Sequence, residues 1–80
     1  RQLVAESLQA EIKQALHILN ERERNVIEAF FGIGGPELTL EEIGEKYDLT
    51  RERVRQIKEK AIRRLREGTK NKILKAYLGE

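Results

Sequence analysis

Four side chains in the second half of the chain carry its most directional hydrogen-bonding chemistry: Arg51, Glu52, Arg55 and Gln56. The planar donor fork of Arg matches guanine O6 and N7. The Gln amide matches adenine N6 and N7, and a Glu carboxylate accepts from cytosine N4. In a helix these residues fall on adjacent turns of one face. An acid in that set only repels phosphate, so Glu52 points to base identity being read rather than to backbone adhesion. Catalytic pairings are missing. His17 is the single His, and a lone His on a helix is a surface or core residue by default. The Ser and Thr hydroxyls are Ser7, Thr39, Thr50 and Thr69, three of which read as caps or helix starts. GIGG at residues 32–35 is too short for a phosphate loop and follows no strand. Glu41, Glu42 and Glu45 read as solvated charge on one short helix. Without Cys there is neither disulfide nor thiolate metal site. The expectation is a binding protein, not an enzyme, with no cofactor and no metal.

The elements that must hold these residues follow from apolar spacing and capping signals. Leu8, Ile12, Ala15, Leu16 and Leu19 form one stripe of a first helix over about 6–19. Asn20 reads as the cap of a second helix, with Glu23 completing a capping box. Val26, Ile27, Phe30 and Phe31 give that helix its apolar side, and Gly32 stops it. The loop over 32–38 contains Gly34, Gly35 and Pro36. Thr39, with Glu42 three residues on, caps a third helix running to Tyr47. Asp48 and Leu49 make a turn, and Asp tolerates left-handed backbone angles. Thr50 caps a fourth helix that runs to Glu67 and ends at Gly68, with Val54, Ile57, Ala61 and Leu65 as its stripe. Glu52, Gln56, Glu59 and Arg63 point nearly opposite that stripe. A last helix over 70–78 offers Ile73, Leu74, Tyr77 and Leu78 for packing. Gly44 is a poor mid-helix residue, costing about 1 kcal/mol against Ala, and makes sense where a close approach forbids a Cβ. Ile43, Tyr47, Leu49, Val54 and Ile57 would form a core shared across the turn.

Eighty residues make one domain. Its expected parts are a helical pair over 1–35, a helix-turn-helix over 36–67 and a short helix over 68–80. The chain is 38% charged and 39% hydrophobic, which taken alone suggests partial disorder. The helical spacing of the apolar residues argues instead for a small folded all-α domain of four to five helices. A net charge of +2 conceals a polarity. Residues 1–48 hold five Lys and Arg against ten acids, net −5; residues 49–80 hold eleven against four, net +7. A basic half joined to an acidic half points to nucleic acid for the basic part. No apolar run spans a membrane. The first residue is Arg rather than Met, so a piece of a longer protein is expected.

The segment TLEEIGEKYDLTRERVRQIKEKAIRRL resembles region four of bacterial primary sigma factors, the housekeeping members of the sigma-70 family. LNERERNVIEAFFGI resembles that region's first half, and NKILKAYL its short final helix. The resemblance implies a helix-turn-helix domain of winged-helix-like or region-four type, recognition of the promoter −35 element, docking on the β flap of RNA polymerase, and a bacterial, cytoplasmic, nucleoid-associated setting. It implies base contacts for Arg51, Glu52 and Gln56, and a base or phosphate contact for Arg55. Arg22, Thr50, Arg53 and Lys60 become candidates for phosphate contact or support. Lys60, Arg63 and Arg66 become a face for transcription activators. Two departures stand out. Phe30 and Glu28 occupy positions where the family often has basic residues, so a phosphate contact expected at position 30 is lost. Phe30 falls instead in the apolar stripe, as core or flap-facing surface. Asp48 stands where many helix-turn-helix proteins use Gly. Two other readings remain. One is a protein-interaction module in which the acidic half, with Phe30 and Phe31, binds the polymerase flap or an anti-sigma factor. The other is the effector domain of a response regulator.

Overall fold

The computed structural model describes residues 10–79. Helix α1 covers 10–15 and tightens into a 3-10 turn at Leu16–Ile18. Then follow α2 (Glu21–Phe31), α3 (Leu40–Tyr47), α4 (Arg51–Glu67) and α5 (Lys72–Tyr77). The described residues contain no strand, so no β wing follows α4. The fold is all-α, built on a helix-turn-helix formed by α3 and α4. None of its described helices is long and apolar enough to cross a membrane.

Three caps form as the sequence dictates. The Asn20 side chain accepts from Glu23 N–H at 2.8 Å, and Glu23 accepts from Asn20 N–H at 3.2 Å. Thr39 and Glu42 make the same reciprocal pair at 3.1 and 2.8 Å. Thr50 Oγ1 accepts from Arg53 N–H at 3.0 Å. Each satisfies N–H groups that the first helical turn leaves without partners. Gly32 ends α2 in the left-handed region, at φ 69°.

Two elements differ from expectation. The first helix does not continue as α-helix to Leu19: its last turn is 3-10, and Leu19 is extended at φ −95°, ψ 152°. Asn20 needs an extended backbone to cap α2, so the chain must leave helical geometry just before it. The freed carbonyls are met by two arginines from elsewhere. Arg24 donates to Leu19 O at 3.1 Å and to Leu16 O at 3.4 Å, and Arg64 donates to Ile18 O at 2.9 Å. The expected start of this helix at Glu6, and Leu8 and Ser7, lie outside the described residues. The last helix begins at Lys72 rather than Lys70, because Asn71 is its cap, accepting from Ile73 and Leu74 N–H at 2.9 and 3.0 Å.

The apolar interior has two parts. Ile12, Leu16, Leu19, Ile27, Ile33, Ala61, Leu65, Leu74 and Leu78 form one cluster. Val26, Ala29, Ile43, Val54 and Ile57 form the other, flanked by Phe30, Leu38, Leu40, Tyr47 and Leu49. Helices α2 and α4 contribute to both. The stripe of α4 is divided between them: Val54 and Ile57 seal the helix-turn-helix, while Ala61 and Leu65 seat the same helix against the terminal helices.

Candidate nucleic-acid interface

The turn that presents α4 depends on close backbone approach. Leu49 N–H donates to Gly44 O at 2.8 Å, folding the turn back over the third helix. A Cβ on Gly44 would lie 2.5 Å from the Leu49 carbonyl oxygen, so only Gly fits. The close approach is between α3 and its own following turn rather than between two helix axes. Asp48 takes the left-handed conformation, at φ 59° and ψ 50°, the one non-Gly residue with positive φ among those described. Val54 and Ile43 are fully buried beneath, and Ile57 almost so.

This anchoring leaves the opposite side of α4 in solvent. Arg51, Glu52 and Gln56 are exposed and Arg55 is half-buried, all four within the first two turns. They form a connected polar surface. Arg55 donates Nε–H to Glu52 Oε1 at 3.0 Å and an Nη2 hydrogen to Glu52 Oε2 at 2.5 Å. On its other side it donates from Nη1 to Glu59 Oε2 at 2.7 Å. Gln56 Nε2 lies 3.5 Å from Glu52 Oε2, at the limit of a hydrogen bond. Arg51 pairs with Glu41 at 3.1 Å, between two largely exposed side chains. Hydrogen bonding by Arg55 holds the Glu52 carboxyl below its ordinary pKa of 4.5, and the two acids push the Arg55 guanidinium further above its already high value. Both groups therefore stay charged at neutral pH. Among the candidate support residues, Arg53 and Lys60 are exposed on α4, and Thr50 caps that helix by accepting from Arg53 N–H, which leaves its hydroxyl hydrogen to donate. Arg22, exposed on α2, lines a shallow groove with Tyr47 and Leu49, beside the turn.

The remaining basic residues of α4 do not share one face. Lys60 and Arg66 are about 120° apart around the helix, with Arg63 between them. Arg63 and Arg66 border a groove of about 480 Å3 on the side of the molecule where the end of α2 meets α4 and α5. Its floor is aromatic and aliphatic: Phe30, Phe31, Ile62 and Tyr77. The Phe30 and Phe31 rings meet edge to face at 5.1 Å, and Phe31 and Tyr77 lie 5.6 Å apart. Lys58 Nζ sits 4.8 Å over the Phe30 ring. Phe30 is thus a half-buried wall between core and groove, consistent with its place in the apolar stripe. Glu28 is half-buried on the far side of α2, near the 32–38 loop. His17 is exposed. Among the described residues, no group of three His, Cys, Asp or Glu side chains is placed to hold a metal ion.

Sequence reasoning missed three side chains that organise this scaffold. Glu23, read only as a cap partner, is 3% exposed and also accepts from Arg64 Nη1 at 2.7 Å. Arg64, on the basic helix, is a structural residue that ties α4 to both Glu23 and Ile18 O. Asn71 donates to the Glu11 carboxylate at 2.9 and 3.0 Å, tying the last helix to the first. The one available signal was Glu23 itself, an acid three residues after a cap within an apolar face. Glu59, which grips Arg55, was placed on the polar side of α4 with no role given.

Comparison with known proteins matches residues 15–67 to the family described as Sigma-70, region 4. The chain is 47% identical over 78 residues to the RNA polymerase sigma factor RpoD of Helicobacter pylori (strain ATCC 700392 / 26695), covering 95% of this chain and 12% of that protein. It is 45% identical over 74 residues to the RNA polymerase sigma factor SigA of Bacillus sp, covering 91% and 20%. It is 44% identical over 72 residues to SigA of Microcystis aeruginosa, covering 89% and 17%. The chain spans no more than a fifth of the length of these curated relatives. The matched segment takes in α2, the closed turn at Gly44 and all of α4, and the chain belongs to the sigma-70 region 4 family.

Proposed function

We propose that this chain is the promoter-binding domain of a sigma factor of the housekeeping type, and that α4 enters the major groove of the −35 element. Arg51, Glu52 and Gln56 meet base edges there, Arg55 meets a base or a phosphate, and Arg22, Thr50, Arg53 and Lys60 hold or support the phosphate backbone. The observation that carries this reading is that Arg51, Glu52 and Gln56 are exposed, with Arg55 half-buried beside them, on the first two turns of a helix whose opposite side is locked into the core. Helix-turn-helix proteins place the N-terminal residues of the second helix against base edges. The domain acts by binding and catalyses no reaction. Its setting is the bacterial cytoplasm, on DNA, together with core RNA polymerase.

The test is a selection of preferred duplexes from a random pool, followed by binding of Gln56→Ala to the selected duplex and to a scrambled one. The variant is expected to lose about 1–3 kcal/mol on the selected duplex and to discriminate less. Equal losses on both duplexes reject base reading by Gln56.

A second surface is favoured by the aromatic groove. Phe30, Phe31, Ile62 and Tyr77, rimmed by Lys58, Arg63 and Arg66, suit a protein partner such as the polymerase β flap or an anti-sigma factor. Lys60, Arg63 and Arg66 offer positive charge to activators, and Arg63 and Arg66 do so from the edge of the groove. The two surfaces separate by salt. DNA binding should weaken with a log–log slope of about −0.9 per phosphate neutralised, whereas binding through the apolar groove should not. Membership of the sigma-70 region 4 family leaves the response-regulator reading without support.

A further inference from the structure

The guanidinium of Arg55 has five N–H donors. Three are spent on carboxylates: two on Glu52 in a side-on fork, one on Glu59. A residue this committed is less a free probe of guanine than a bracket. Glu52, in contrast, carries an exposed carboxylate: Oε1 keeps a lone pair beyond the one used by Arg55, while Oε2 also takes the long contact from Gln56. We infer that Glu59 is a positioning residue for DNA recognition: by gripping the far side of Arg55 it fixes the Arg55 fork, and the fork fixes the Glu52 carboxylate in the pose that reads a base amino group, that of cytosine N4. The inference rests on the DNA-binding reading above and deepens it.

Glu52 stands exposed in the first turn of α4, and its side chain has several rotatable bonds. Freezing such a side chain on binding costs free energy, and a side chain already held loses less. Arg55 alone is also a long, flexible residue and cannot hold Glu52 unless it is held too. Glu59, one turn further on, supplies the second grip at 2.7 Å, so the Glu52, Arg55 and Glu59 side chains form a continuous bracket along the exposed side of α4. Helix stability is a poor explanation for Glu59. An acid four residues after its basic partner is the weaker orientation of such pairs, and an acid on a DNA-facing helix repels phosphate. Glu59 is exposed and also stands at the edge of the aromatic groove, beside Lys58 and Arg63.

The test uses the 80-residue chain with Glu59→Ala and Glu59→Gln, the duplex selected by the unaltered chain, and duplexes in which each cytosine of that site is changed in turn. Glu59→Ala should relax discrimination at one cytosine by about two- to fivefold, the range of an exposed charge pair. It should leave discrimination at the other positions and the salt slope unchanged. Glu59→Gln, which keeps an acceptor for Arg55, should restore most of that discrimination. Slowed exchange of the Arg55 Nε proton, seen by NMR in the free chain, should be lost in Glu59→Ala and kept in Glu59→Gln. A uniform gain of affinity on every duplex in both variants would show Glu59 to be only a repelling charge and overturn the inference, as would unchanged discrimination in Glu59→Ala. Failure of the unaltered chain to select any duplex would instead defeat the DNA-binding reading itself.

Discussion

At the scale of single residues, backbone geometry and charge decide how α4 is presented. Gly44 is the sharpest case. Its missing Cβ would sit 2.5 Å from a backbone oxygen that cannot move without opening the turn. Gly44→Ala is expected to cost about 1–3 kcal/mol, the usual range for forced overpacking, visible as a lower urea midpoint. An unchanged midpoint would mean that the turn can shift freely. Asp48 sits in a left-handed conformation that favours Gly, yet Gly costs entropy in the unfolded chain. Asp48→Gly should therefore change stability by no more than about 1 kcal/mol. Glu52 is depressed in pKa chiefly by its hydrogen bonds from Arg55. The stability this contributes is present above the ordinary value of 4.5 and is lost as pH falls through the lowered folded value. Titration of the Glu52 carboxyl by carbon NMR should give a midpoint below 4.5, rising towards it in Arg55→Ala. An identical midpoint in the variant would dissociate Glu52 from Arg55. That Arg51, Glu52 and Gln56 lie on the exposed side of α4 was legible in the sequence because helix periodicity fixes which residues share a face. That Arg55 is clasped by acids on both sides was not, since rotamers decide among several acids three and four residues away.

At the scale of elements, capping boxes were fully legible because they are local: Asn20 with Glu23, and Thr39 with Glu42, need only a spacing of three. Links over long sequence distances were not. Arg64 reaches Glu23 across 41 residues, and Asn71 reaches Glu11 across 60. A surplus of basic residues on α4 hid the one that serves the scaffold. Glu23 is buried and answers to both Asn20 and Arg64. Glu23→Ala removes a cap interaction and leaves Arg64 without that partner, so a loss of about 2 kcal/mol is expected. Arg64→Ala should cost less because part of its side chain is solvated, and the double variant should cost less than the sum. Strict additivity in thermal melts would show that the two side chains do not act together. The early end of α-helical geometry at Leu16 was hidden for a related reason. The apolar stripe continues to Leu19, and burial of Leu19 does not require it to be helical.

At the scale of the molecule, the net charge of +2 is a poor guide and its distribution a good one. The basic half is concentrated on α4 and beyond, while much of the acidic half lies on α2 and α3. Raising salt should weaken DNA binding steeply and leave folding nearly unchanged, because the exposed pair between Arg51 and Glu41 contributes little to stability. A melting temperature that fell in parallel with DNA affinity would show that folding leans on those surface charges. The all-helical class was legible from spacing alone. The division of the interior into two clusters was not, because it depends on how α2 and α4 cross. That crossing makes α4 a single rod with Arg51, Glu52, Arg55 and Gln56 at one end and the other end beside Phe31 and Tyr77. From Ala61 to Arg51 the rod is about 15 Å long, so a tilt of about 5° swings its tip by roughly 1 Å. Recognition chemistry tolerates displacements of only about 0.5 Å. A displacement among the aromatic rings at one end of this rod is thereby magnified at the other, where Arg51 and Glu52 stand.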